Sequence, residues 1–140
     1  MLHTLWECDS DAYDDLFLEI SRRYGFVNGD SISKKGISFN SDIGTGVYFY
    51  VTGGYCDCNS PIGSKKPGKK ELNIYLNWLQ ALKKCKKLKA MYIMKYWAGS
   101  DGTSELHPTV TVSIDEVDAK YLANMAPETF YRIEYFKRYY

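Results

Sequence analysis

The chain has no arginine in the segment where it carries most of its positive charge. Nine of its eighteen basic residues are lysines between residues 65 and 89, and Glu71 is the only acid among them. The segment carries about +8 (9 − 1), and the remaining residues carry about −7 (9 − 16). Without guanidinium groups, bidentate readout of bases or phosphates is not expected there. The sequence predicts one electropositive region on an acidic body.

Long apolar runs are also missing. No stretch approaches the roughly 20 apolar residues that span a bilayer, and the first residues contain no basic leader followed by an apolar run. The four cysteines, without such a leader, are typical of free thiols in a reducing compartment. We therefore expect a cytoplasmic protein that has no membrane partner.

The nucleotide-binding loops with known spacing are absent as well. Gly63 and Gly68 are followed by Lys69, but Lys70 stands where a phosphate-binding loop needs Ser or Thr to hold magnesium. No Gly-x-Gly-x-x-Gly follows a predicted strand. Phosphoryl transfer is therefore not expected, and no cofactor is expected.

The composition is that of one globular domain over residues 1–140. Hydrophobic residues make up 45% of the chain, and thirteen tyrosines raise the aromatic share to 16%. Such a chain is long enough for one core. Tyrosine, with an apolar body and a polar tip, suits both a half-buried sheet and a contact surface.

The hydrophobic pattern predicts an α+β domain with a mostly antiparallel sheet, two main helices and a short third helix. The first helix should begin at a cap on Asp9 or Ser10 and end at Gly25. The longest should run from Glu71 to about Lys86, and the third should follow a Ser113–Glu116 capping box to about Met125. The predicted strands are 2–7, an antiparallel pair formed by 37–40 and 47–52, 90–97, 110–114 and 130–136.

A Cys-x-Cys element lies in the loop before the lysines. Cys56 and Cys58 point to opposite faces if the segment is extended, but in a turn both thiolates can bind one metal ion. Cys8, Cys85, His3 and His107 are the available further ligands, though none has a recognised spacing. Two other interpretations stay open: buried free thiols, or a nucleophilic thiol activated by nearby lysines with His107 as the base.

The lysines form two groups on either side of the longest predicted helix. They are either simply solvated or bind an extended anionic partner. A partner of that size is considered because 14 to 18 helical residues hold the two groups roughly 20–27 Å apart. A nucleic acid backbone or an acidic protein surface fits that span. Tyr55, Tyr75, Tyr92 and Trp97 either pack in the core or add stacking for single strands or a nucleotide. The candidate binding residues are Lys65, Lys66, Lys69, Lys70, Lys83, Lys84, Lys86, Lys87 and Tyr55.

Residues 53–63, Gly-Gly-Tyr-Cys-Asp-Cys-Asn-Ser-Pro-Ile-Gly, and 96–99, Tyr-Trp-Ala-Gly, carry a resemblance. This combination resembles small bacterial and phage-type proteins with Cys-x-Cys and Trp-x-Gly elements. The resemblance covers about residues 53 to 105. It implies no activity and assigns no site residue.

These patterns lead to a ranked set of functions. We expect a small non-enzymatic binding protein, of the inhibitor, immunity or phage counter-defence type, that engages an anionic macromolecule through the lysines. A binder of a nucleotide or another phosphorylated small ligand is the alternative, with the phosphate at the N-terminus of the helix that begins at Glu71. A thiol-dependent or zinc-dependent hydrolase is the third.

Overall fold

The computed structural model describes residues 2–26, 46–49, 51, 60–97 and 109–135. Within these ranges the chain forms a five-stranded sheet with three α-helices, which confirms the α+β class. The strands are β1 (Leu2–Asp9), β2 (Gly46–Phe49), β3 (Ala90–Trp97), β4 (Thr109–Ser113) and β5 (Phe130–Glu134). The helices are α1 (Asp15–Arg23), α2 (Glu71–Ala81) and α3 (Ala119–Ala123), with 3-10 helices at Leu82–Lys84 and Ile114–Glu116.

The sheet has the strand order β2-β1-β3-β5-β4. Neighbouring strands are antiparallel except β4 and β5, which are parallel. A parallel pair needs a crossover connection, and α3 with the preceding 3-10 helix supplies it here. The predicted mostly antiparallel sheet is therefore confirmed.

The central strand β3 is buried on both faces over residues 90–95, as the continuous apolar run at 90–97 predicted, and the neighbouring β1 is buried on both faces over residues 4–8. Trp6 and Cys8 of β1 lie in the larger core cluster, which also contains the buried residues of all three described helices. Leu5 and Glu7, which alternate with them, point to the opposite face and are 2% exposed. Aromatic rings join helix and sheet, with the Trp6 and Trp78 rings edge to face at 5.0 Å.

The first helix begins later than predicted. The cap is Asp14, not Asp9 or Ser10, and its carboxylate accepts a hydrogen bond from the Phe17 N–H at 3.0 Å. Asp9 belongs to the end of β1 and accepts from the Asp11 N–H, forming a turn between strand and helix. Asp14 caps the helix because its extended backbone places its carboxylate over the first helical turn.

The longest helix ends earlier than predicted. It begins at Glu71 as expected but is α-helical only to Ala81, and the chain tightens into the 3-10 helix Leu82–Lys84. Cys85 is extended and follows it. Leu82, Cys85 and Leu88 are all buried. The 3-10 helix and the turn that follows it bury these three residues, which are spaced three apart, without any further α-helix. Apolar periodicity alone therefore overestimated the length of α2.

The third helix is two short helices rather than one. The Ser113 hydroxyl accepts from the Asp115 N–H, two residues away, instead of closing the predicted capping box onto Glu116. Val117 and Asp118 then leave helical geometry, and the Asp118 carboxylate caps α3 by accepting from the Tyr121 N–H at 2.7 Å.

The strand predicted at 47–52 is β2, and it pairs with β1. Its predicted partner, 37–40, lies outside the described residues. None of the helices in the described ranges is long and apolar enough to cross a membrane.

Candidate functional site

The eight predicted lysines form two groups, one before α2 and one after it; we call them together the lysine surface. Lys65 and Lys66 are exposed in the loop before the helix, Lys69 is half-buried, and Lys70 is the exposed N-cap residue. Lys83 and Lys84 belong to the 3-10 helix, and Lys86 and Lys87 to the following turn, where all four are exposed.

The helix between the two groups keeps one face open to solvent. The path from Lys70 to Lys84 covers the eleven residues of α2 and the three residues of the following 3-10 helix, which amounts to about 22 Å. This lies within the predicted span although the helix is shorter. The open face carries Lys70, Asn73, Ile74, Asn77 and Lys84. Ile74, which lies between the two lysine groups, is 46% exposed.

The loop before α2 is anchored to α3. The Gly63 N–H donates to the Leu122 carbonyl at 2.8 Å, and the Lys65 N–H donates to the Ala123 carbonyl at 2.7 Å. The buried Lys95 ammonium donates to the Ile62 carbonyl, and the Ile62 side chain is fully buried. Lys65 and Lys66 thus extend from a segment whose backbone is held in place.

Close packing at Gly63 makes this anchoring possible. Its φ is +77°, and a Cβ atom there would lie 2.9 Å from the Met125 carbonyl oxygen and 3.0 Å from Lys95 Nζ. Lys65 also has a left-handed backbone, with φ of 62°. A non-glycine residue holds this conformation only where surrounding contacts require it.

Most backbone amides of loop residues 60–70, the part of the loop that the structure describes, already donate to protein oxygens, so few are available for a phosphate cradle. Such a cradle needs N–H groups that point at the ligand. The N–H groups of Ile62, Gly63, Ser64, Lys65, Lys66, Lys69, Leu72 and Asn73 all donate to protein oxygens. Ammonium groups are therefore the main anion-binding groups of this region, and they carry their charge on long flexible stems.

Among the described residues, Lys83 has an acidic neighbour. Lys83 Nζ lies 2.9 Å from Asp115 Oδ1, and both side chains are nearly half exposed, so the pair contributes little to stability. Gln80 donates to the Ile114 carbonyl beside it. These contacts place the C-terminal end of α2 and the 3-10 helix Leu82–Lys84 against the 3-10 helix Ile114–Glu116.

Two of the aromatic residues considered for stacking are in the interior. Tyr75 is 6% exposed and packs against Phe26 and Trp6, and Tyr92 is 2% exposed within the sheet. Neither ring is open to a base. Tyr55 lies outside the described residues.

The predicted thiol and metal sites are only partly within the described ranges. Cys56, Cys58 and His107 lie outside them. Cys8 and Cys85 are buried free thiols, and burial together with nearby carboxylates raises the pKa of Cys85 to about 11 and that of Cys8 further still. No group of three or more metal-ligating side chains occurs among the residues the structure covers.

A row of polar side chains crosses the sheet on the face opposite the helices, and sequence reasoning missed it. Glu7 is directly opposite Tyr48 on one side and Tyr92 on the other, and Tyr92 is opposite Arg132. Thr111 extends the row to the last strand. The sequence signal is a charged residue between two apolar ones in each of two strands, Glu7 in β1 and Arg132 in β5.

The members of the row interact with one another across the strands. Burial, together with the neighbouring Glu7 carboxylate, raises the pKa of Tyr48. Arg132 donates to the Tyr92 hydroxyl and to Glu134 Oε1. A register slip of one residue would move every member to the other face. The row therefore favours one strand register.

A shallow pocket of about 340 Å³ lies beside α3, lined by Glu116, Asp118, Lys120, Tyr121, Asn124 and Tyr131. Its polar groups are largely engaged. Asp118 caps α3, Asn124 donates to the Lys120 carbonyl, and the Tyr131 hydroxyl accepts from the Ala126 N–H. The lining shows no nucleophile paired with a base.

Comparison with known proteins identifies no relative. No family model matches the chain, and neither a curated protein nor a solved structure matches it.

Proposed function

We propose that this protein is a small non-enzymatic binding protein that engages an extended anionic partner through the lysine surface. The observation that carries the proposal is the arrangement of the two lysine groups about 22 Å apart, at either end of a helix whose outer face is open. This span is too long for one phosphate and matches a macromolecular surface. An inhibitor or antagonist, such as an immunity or counter-defence factor, acts in this way.

The anchored loop supports the proposal. Because Gly63 and Lys65 bond to α3, the loop that carries Lys65 and Lys66 loses little backbone freedom on binding. Preorganised charges lower the cost of association. The acidic remainder of the chain orients an approaching anionic partner towards this surface.

A phosphorylated small ligand is less well supported by the same contacts. Its site would need the amides at the start of α2, and those of Leu72 and Asn73 already donate to Lys69 and Lys70 carbonyls. Lys70 caps the helix without a side-chain hydrogen bond, in helical geometry. The lysine ammonium groups would then be the main phosphate ligands.

The test is recovery of a complex from the protein's own cells at low salt, followed by native mass spectrometry. Replacing Lys65, Lys66, Lys69 and Lys70 by Gln should abolish the complex. The control replaces Arg22, Arg23 and Lys120, three exposed basic residues elsewhere, by Gln and should leave it intact. A complex that survives in the first variant, or no complex in the native protein, contradicts the proposal.

A further inference from the structure

We infer that the open face of α2 is the centre of the binding surface and that its partner is a protein with an acidic rim around an apolar centre. The inference rests on the proposed function and specifies the partner. It starts from Ile74, an aliphatic side chain 46% exposed on a helix whose other large apolar residues are buried or half-buried.

Ile74 lies between the two lysine groups, with Lys70 on one side and Lys84 on the other. On a helix of 3.6 residues per turn, positions 70, 73, 74 and 77 share one face, and all four are exposed. Lys84 continues this face beyond the end of α2. The order along the face is therefore lysine, asparagine and isoleucine, asparagine, lysine.

This order is that of a protein interface. Interfaces place apolar side chains at the centre and polar or charged groups at the rim. A phosphate backbone offers no apolar partner to Ile74 and is best gripped by Arg, which the segment lacks. Single-stranded nucleic acid would need open aromatic rings, and Tyr75 and Trp78 of α2 are buried.

The dimensions agree with a docking surface. An ordinary interface takes about 800 Å² from each partner. A helix face about 22 Å long supplies only the middle of that area, and the lysines of residues 65–70 and 83–87 adjoin it at both ends. The acids of the partner are expected opposite these two groups.

The experiment places a photo-cross-linking amino acid at position 74 of the full chain in its own cells. The two other large hydrophobic residues that are exposed in the described ranges, Leu16 at 42% and Val110 at 39%, serve as matched control positions. We expect a protease-sensitive, nuclease-resistant adduct at position 74 only.

The captured protein is then identified, purified and titrated against point variants. Ile74→Asp should weaken binding by about tenfold or more. Lys70→Glu with Lys84→Glu should slow association and flatten its dependence on salt. The cross-linked peptide of the partner should contain Asp or Glu beside an apolar residue.

The outcomes separate this inference from the proposed function. A nuclease-sensitive adduct at position 74 overturns the protein partner while the lysine surface keeps its role. Equal adducts at 16, 74 and 110, or an Ile74→Asp variant that binds as tightly as the native chain, overturns the docking face. Retention of the complex by the four-lysine variant contradicts the proposed function itself.

Discussion

The backbone N–H of Lys65 donates to the carbonyl oxygen of Ala123 at 2.7 Å. This bond joins the loop before α2 to the end of α3, 58 positions further along the chain (123 − 65). A loop rich in Gly, Pro, Ser and Lys would be expected to be solvated along its whole length. Here the backbone is held at Gly63 and Lys65, while the side chains of Lys65 and Lys66 extend into solvent.

The anchoring at Gly63 predicts a large cost for adding one methyl group. Gly63→Ala would place Cβ 2.9 Å from the Met125 carbonyl oxygen at a φ of +77°. We expect a loss of about 2–3 kcal/mol in the free energy of unfolding, measured by urea denaturation.

Gly68→Ala is the matched control. Nothing lies within 4 Å of the added Cβ, and the backbone at Gly68 is not left-handed. This substitution should change stability by less than about 1 kcal/mol. Equal losses for the two variants would show that the close contact at Gly63 has no energetic role.

The buried bond between Trp78 and Ser21 predicts a second stability effect. Trp78 Nε1 donates to Ser21 Oγ at 2.9 Å, and both side chains are fully buried. Ser21→Ala leaves the indole N–H without this acceptor, which costs about 1–3 kcal/mol. Chemical denaturation of Ser21→Ala, Trp78→Phe and the double variant gives the coupling energy.

In the double variant both polar groups are gone. Adding Ser21→Ala to Trp78→Phe should therefore cost less than adding it to the native chain. Costs that are strictly additive would mean that the hydrogen bond contributes nothing to stability.

Alkaline pH should destabilise the fold through Cys85. Its pKa is about 11 in the folded chain because burial and then Asp14 disfavour the thiolate, against an ordinary value of 9.0. Above pH 9 the unfolded state loses this proton while the folded state keeps it. The contribution is therefore complete below pH 9 and falls as pH rises to about 11, by roughly 1–2 kcal/mol.

Equilibrium unfolding at a series of pH values, compared between the native chain and Cys85→Ala, measures this effect. The fall above pH 9 should be shallower in the variant, although Cys8 and Tyr48 still titrate in the same direction. Superimposable pH profiles would contradict the assignment to Cys85.

The N-cap of α1 can be tested by substitution, because the structure places it at Asp14 and the sequence predicted Asp9 or Ser10. Asp14→Ala removes the acceptor of the Phe17 N–H and should cost about 1 kcal/mol in thermal or urea denaturation. Asp14→Asn retains a capping oxygen and should cost a few tenths of that amount. An unchanged stability for Asp14→Ala would return the cap to Asp9 or Ser10.

Much of the candidate site followed from residue types alone. The absence of arginine, the nine lysines and the start of α2 at Glu71 are local properties, and they were sufficient to place two positive groups along one helix. The open face was less predictable. Helical periodicity suggested a core-facing stripe, but which apolar residue of α2 stays exposed depends on where α1 and α3 pack.

The sequence by itself determined the elements whose signals are local: the apolar strand at 90–97, the alternating strand near 110, and the α+β class. Tertiary structure decided the pairing of β2 with β1, the parallel β4–β5 pair and the row from Tyr48 through Glu7 to Arg132. It also decided that Gly63 and Lys65 bond to α3. These contacts join residues far apart in the chain. The hydrophobic periods of two residues in strands and 3.6 in helices do not encode them, because they depend on which surfaces meet after the elements pack.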